Sequence, residues 1–118
     1  MKFPRRARLR TAADFRFVFQ RPVVSDDRYF RVLFRDNGGS ACRLGLAVSR
    51  KVSGKASVRN RLKRVVREDF RQHREALAGG RGKDIVVVPR AAAAAASNAQ
   101  LRTALGEHWR KVRGAATG

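Results

Sequence analysis

The run 49-SRKVSGKASVRNRLKRVVREDFRQHR-74 sets ten basic residues (Arg50, Lys51, Lys55, Arg59, Arg61, Lys63, Arg64, Arg67, Arg71 and Arg74) against two acids, Glu68 and Asp69. A segment so rich in one sign opposes its own folding, so its periodicity decides what it becomes. From Ser57 to Leu77 the pattern is helical. At about 100° per residue, Val58, Leu62, Val65, Val66, Phe70 and Leu77 share one arc that can dock on a sheet. Arg59, Lys63, Arg64, Arg67, Arg71 and Arg74 take the opposite arc, with Asn60 among them. Arg59 with Lys63, Lys63 with Arg67 and Arg67 with Arg71 stand four apart, each pair costing roughly 0.2–0.5 kcal/mol. Arg64 with Glu68 and Arg71 with Glu75 are the two pairs spaced to offset this. A solvated polar face is the ordinary fate of a charge run. The near-uniform sign points instead to a face that neutralises successive phosphates. Asn60 can then hydrogen-bond a sugar, a base edge or a phosphate-bound water. Asp69 falls in the apolar arc and reads as a half-buried structural acid.

Working outward, Arg50 to Lys55 is a basic loop containing Gly54. Before it, Arg28 to Arg35 alternates as a strand, with Phe30, Val32 and Phe34 on one side and Arg31, Leu33 and Arg35 on the other. Asp36 to Ser40 is a turn cluster, and Ala41 to Ser49 returns as a second strand. The pair predicts an antiparallel hairpin. Cys42 sits in an apolar row and reads as small core filler. Met1 to Arg10 carries five bases and no acid, and reads as a flexible arm. Thr11 is a helix N-cap, and the helix that follows puts Phe15, Val18 and Phe19 on one face until Pro22 closes it. Phe15 and Phe19 fill a core or form a platform for unpaired bases.

Beyond the run, Gly79 to Gly82 stops the helix. Asp84 to Val88 is a short apolar strand, expected to be central and covered on both faces. Pro89 is expected to end its pairing. Ala91 to Ala96 reads as a loop or a helix lead-in. Ser97 and Gln100 form a capping-box pattern. The helix after them should bury Leu101, Leu105, His108, Trp109 and Val112, with 114–118 a frayed tail. These elements predict an α+β fold, one mixed sheet with helices packed on it, in a single domain over 1–118.

The formal charge of +19 over 118 residues implies a polyanionic partner, nucleic acid first and an anionic membrane surface second. Ala91 to Ala96 is too short to span a bilayer. No secretory signal is visible, and the single Cys42 excludes an internal disulfide framework, which together favour the cytoplasm. His73 and His108 have no metal-ligand spacing with Cys42, and the nine acids are scattered. No phosphate loop opens a helix. No catalytic centre and no protein-bound metal are therefore expected.

The segment RNRLKRVVRE (Arg59 to Glu68) resembles the signature of the bacterial ribonuclease P protein family. RLRTAADFRFVFQ (Arg8 to Gln20) is similar to that family's basic arm and first helix. RLGLAVSRKVSGKASVRNRLKR (Arg43 to Arg64) resembles its second strand, basic loop and helix start. DIVVVPR and the helix around Trp109 follow in the family's order. The resemblance implies an α/β sandwich with a left-handed βαβ crossover, against the right-handed default. It implies an accessory subunit of a catalytic RNA that uses magnesium to remove the 5′ leader of precursor tRNA. Arg59, Asn60, Arg61, Lys63, Arg64 and Arg67 would bind that RNA from the signature helix, and Arg50, Lys51 and Lys55 from the loop. Phe15, Phe19, Arg31 and Leu33 would line a cleft for the single-stranded leader. Two positions depart from the family: Ser57 is usually apolar there, and Leu33 is aromatic in some members. A structural RNA-binding protein without a processing role is the alternative reading.

Overall fold

A computed structural model describes residues 7–114; of the flexible arm expected over 1–10 and the tail expected over 114–118, residues 1–6 and 115–118 lie outside that range, while Ala7 and Leu9 are buried and Gly114 ends α3. The elements run α1 (Ala12–Gln20), β1 (Val23–Asp26), β2 (Phe30–Asp36), β3 (Arg43–Leu46), α2 (Ala56–Ala78), β4 (Lys83–Pro89), a 3-10 helix (Ala91–Ala95) and α3 (Asn98–Gly114). The four strands form one mixed sheet in the order β1-β2-β4-β3.

The expected hairpin is not formed. β2 pairs antiparallel with β4, and β3 pairs parallel with β4 on its other side. The turn cluster carries the chain past β4's position to the far edge. The physical reason lies in β4 itself. Ile85 and Val87 enter the core cluster on one face, while Val86 enters a second cluster on the other. A strand apolar on both faces must be interior to the sheet, so it separates its two neighbours. β1, a strand of four residues that local patterning does not reveal, pairs antiparallel with β2 at the other edge.

Pro89 does not end the pairing either. It lies opposite Phe30, and Arg90 N still donates to the Tyr29 carbonyl at 2.7 Å. Pro89 has the parity of Val87, whose carbonyl faces β3, so its missing N–H points beyond the end of β3.

The hand of the β3–α2–β4 crossover follows from chirality. Seen from the α2 side with β4 running upward, Val87 points its side chain at the viewer. An L-residue so placed aims its carbonyl to the right. That carbonyl accepts from Ala47 N at 3.1 Å, so β3 lies to the right. The chain therefore passes from right to left through a helix in front, which is a left-handed crossover.

α2 and α3 cover one face of the sheet. Leu62, Val65, Val66, Phe70 and Leu77 of α2 and Leu101, Leu105, Trp109 and Val112 of α3 are buried there with Phe30, Val32, Phe34 and Leu44. Asp69 is the structural acid expected: Trp109 Nε1 donates to its Oδ2 at 2.7 Å. Lys83 turns inward and donates to the Leu77 carbonyl at 3.0 Å, closing the C-terminal end of α2. The capping box of α3 is present, with Gln100 N donating to Ser97 Oγ at 3.1 Å and Ser97 N to Gln100 Oε1 at 2.8 Å. α1 covers the opposite face, where Val18 packs with Leu9, Leu33 and Val86. Its start is fixed by a reciprocal capping box between Thr11 and Asp14.

Candidate RNA interface

The basic residues of α2 divide into two groups. Arg59 and Arg61 turn toward the protein. Arg59 Nη1 donates to the Ser53 carbonyl at 2.8 Å. Arg61 Nη1 donates to Asn98 Oδ1 at 2.8 Å and its Nη2 to the Ala94 carbonyl at 3.0 Å. Arg74, lower on the helix, donates to the Cys42 carbonyl. Lys63, Arg64, Arg67 and Arg71 form no ion pair and no side-chain hydrogen bond among the described residues. The offset expected from Glu68 is not supplied to Arg64, because Glu68 pairs across to Arg102 of α3 at 3.6 Å. Asn60 is exposed between the two groups.

The basic loop is fastened from behind. Val52 is buried in the main core, and Lys55 N donates to Ser53 Oγ at 3.1 Å. With Arg59 holding Ser53, the loop presents Arg50, Lys51 and Lys55 to solvent. Lys55 occupies the N-cap of α2 and makes no side-chain cap, and no acid lies in the first turn. The positive end of the helix dipole therefore adds to the field of these cations.

Phe15 and Phe19 stand one turn apart on α1 with ring centroids 6.4 Å apart. Phe19 is 48% exposed, far from a core position. Phe15 is half-buried and lines a hollow of about 130 Å³ together with Arg8, Leu9, Leu44, Leu46, Lys63 and Arg67. The fold thus brings an aromatic of α1 to the same recess as two free cations of α2, which sequence reasoning treated as separate regions. Arg8 reaches the recess because residues 8 and 9 lie along β3: Leu9 N donates to the Leu44 carbonyl at 2.9 Å. Partial burial, and then the nearby Arg8 guanidinium, lower the pKa of Arg67 from its ordinary value. Lys63 and Arg67 bring to this recess positive charge that no acid among the described residues pairs with.

The remaining cleft candidates lie on β2. Arg31 is exposed and faces Asp26 in the strand register. Leu33 is buried at 8% exposure against Leu9, Val18 and Val86, so it forms floor beneath α1. Arg35, on the same side, is spent on α1: its guanidinium lies 3.9 Å over the Phe17 ring and its Nη1 donates to the Phe17 carbonyl.

One arrangement resembles hydrolytic machinery. Ser25 Oγ and His108 Nδ1 are 2.7 Å apart, and His108 Nε2 lies 2.9 Å from Asp27 Oδ2, off the line of a hydrogen bond. Ser25 is 3% exposed and His108 1%, so neither presents a face to a substrate. The trio fastens β1 to α3. Among the described residues no group of three or more His, Cys, Asp or Glu could hold a metal ion. No described helix is long and apolar enough to cross a membrane.

An α+β scaffold with an unneutralised helical face, a propped basic loop and an adjoining aromatic recess defines an RNA-binding protein. A family model described as Ribonuclease P matches residues 3–113, and the chain belongs to the ribonuclease P protein family. The ribonuclease P protein component of Thioalkalivibrio sulfidiphilus is 42% identical over 110 residues, covering 93% of this chain and 89% of that protein. That of Methylococcus capsulatus is 47% identical over 107 residues, covering 91% and 81%. Among solved structures, the RNase P protein of Thermotoga maritima matches with a TM-score of 0.79 at 39% identity, covering 91% of this chain and 98% of that one. The RNase P protein of Staphylococcus aureus matches with a TM-score of 0.80 at 32% identity, covering 92% and 95%. The chain is thus the protein subunit that assists the ribonuclease P RNA in tRNA 5′ processing, within an endoribonuclease ribonucleoprotein.

Proposed function

We propose that this subunit binds two RNAs through adjoining surfaces. Asn60, Lys63, Arg64 and Arg67 of α2, with Arg50, Lys51 and Lys55 of the loop, grip the ribonuclease P RNA. Phe15 and Phe19, with Leu33 as floor and Arg31 at the strand edge, hold the single-stranded 5′ leader of precursor tRNA. The observation that carries this reading is the recess where Phe15 meets Lys63 and Arg67. Phosphates entering there displace condensed counterions and relieve the repulsion among the cations. Bases stacked on the rings gain affinity that a leaderless tRNA lacks. Arg59 and Arg61 serve the same surface from behind, by holding the loop and the start of α3.

The bond-breaking step belongs to the RNA and its magnesium in this reading. Ser25 and His108 are closed off, and the described residues offer no grouped donor set for a metal. The protein raises the local concentration of substrate and orients its leader, and it works in the cytoplasm beside that RNA.

The test incubates precursor tRNA with the purified protein, with a bacterial ribonuclease P RNA, and with both, at low magnesium. The mixture should remove the leader at one site, and the protein alone should leave the substrate intact. Specific 5′ cleavage by protein free of RNA would overturn the assignment.

A further inference from the structure

Gly45 lies in β3, paired with Val86 of β4, and is buried. Its backbone takes no left-handed conformation. A turn therefore does not explain the glycine, and the space above it does. A Cβ at this position would sit 2.8 Å from both Cε1 and Cζ of Phe15 and 3.1 Å from Cδ1 of Leu9. Carbon atoms do not approach so closely without displacement. The Phe15 ring thus lies directly on the bare strand. The atoms a methyl would strike are the far end of a side chain, not backbone. A methyl at position 45 would therefore push the ring aside before it disturbed the sheet.

We infer that Gly45 is a positioning residue for RNA recognition: by lacking a side chain it seats the Phe15 ring in the wall of the recess that also holds Lys63 and Arg67. A ring lifted off the strand would enter the recess and take up space in it. It would also lose the orientation in which a base can stack. The recess is only about 130 Å³, so a displaced ring consumes much of it. This inference rests on Phe15 contacting the leader, and the experiment separates the two claims.

Gly45→Ala and Phe15→Leu are each assembled with a bacterial ribonuclease P RNA. Affinity is then measured for precursor tRNA and for mature tRNA, beside the melting temperature of the free protein and its affinity for the catalytic RNA. Gly45→Ala should lower the preference for precursor by roughly tenfold, the size of losing one base stack. Its affinity for the catalytic RNA should fall by much less, since Asn60, Arg64 and the loop cations Arg50, Lys51 and Lys55 lie outside the recess. A Gly45→Ala subunit with full precursor preference, while Phe15→Leu loses it, would overturn the role of Gly45 alone. Full preference in Phe15→Leu would overturn the reading of Phe15 and this inference with it. Should Gly45→Ala fold poorly, Gly45→Ala/Phe15→Leu removes the part of the ring that the methyl strikes. Recovery of the melting temperature supports the seat, and persistent instability places the clash elsewhere and overturns it.

Discussion

Arg61 and Asn98 are joined at 2.8 Å, guanidinium Nη1 to amide Oδ1, and the second arm of Arg61 reaches the Ala94 carbonyl at 3.0 Å. An arginine in the midst of the basic signature is thus used to weld α2 to the start of α3. Arg61→Gln should cost about 1–2 kcal/mol of stability, as expected for losing charge-assisted hydrogen bonds at a partly exposed site. The slope of log K against log salt for binding the catalytic RNA should stay close to the parent's. Asn98→Ala should reproduce part of the stability loss. A slope reduced by a full phosphate contact in Arg61→Gln would show that this side chain leaves the protein for RNA.

Arg67 should behave in the opposite way. It has no partner among the described residues, and burial together with Arg8 already disfavours its charge. Arg67→Ala should leave the melting temperature unchanged or raise it slightly. The salt slope for RNA binding should fall by roughly 0.7–0.9, the contribution of one phosphate contact. An unaltered slope would mean that the charge is merely solvated.

Phe19 separates stacking from packing. About half of its surface is already in water. Phe19→Ala should therefore cost less than about 1.5 kcal/mol of stability. The preference of the assembled enzyme for precursor over mature tRNA should drop by roughly tenfold. Assembly with the catalytic RNA should hardly change. A stable Phe19→Ala protein with its preference intact removes this ring from the leader path.

Acid should loosen α1 through Asp14. The backbone N–H of Arg10, then that of Thr11, hold the Asp14 carboxyl below its ordinary value, with Arg43 a smaller contributor. A carboxyl depressed in the folded state contributes stability that is full above its unfolded value near 4 and is lost as the pH falls through the folded one. Melting temperatures recorded from about pH 6 down to about pH 3 should decline less steeply in Asp14→Asn than in the parent. Parallel curves would show that the capping box carries no pH-dependent stability.

Much of this architecture is written locally. The α2 arc, the buried residues of α3 and the capping box at Ser97 follow from spacing alone, because each depends on residues within two turns. The burial of β4 on both faces is equally legible in its unbroken apolar run. What that run demands of its neighbours is less so. The turn cluster after β2 has hairpin chemistry, yet β4 comes between β2 and β3, and a pairing between residues some forty apart leaves no trace in local pattern. β1 is too short, and too exposed at Val23 and Val24, to stand out.

The site was legible in its residue types and less so in their directions. Spacing placed Arg59 in the basic arc with Lys63 and Arg67, and the family signature added Arg61. Spacing could not show that Arg59 and Arg61 turn back to carbonyls on other elements. Nor could it bring Arg8 and Phe15 to the α2 cations, since that contact is made across the edge of the sheet. Gly45 leaves no positive signal at all, because its contribution is an absent side chain.

The strand order also sets a timetable. β3 is flanked by the residue 8–9 segment on one side and by β4 on the other. Until residues 83–89 have been synthesised, β3 lacks its main partner and Ile85, Val86 and Val87 are missing from both layers. The cationic helix is made earlier than the strand that completes its platform. A nascent chain paused near residue 80 would thus carry the full charge of α2 on an unfinished scaffold, while surrounded by the ribosome's own RNA. Completion of β4 is the event that turns a generally adhesive basic segment into a surface of defined shape.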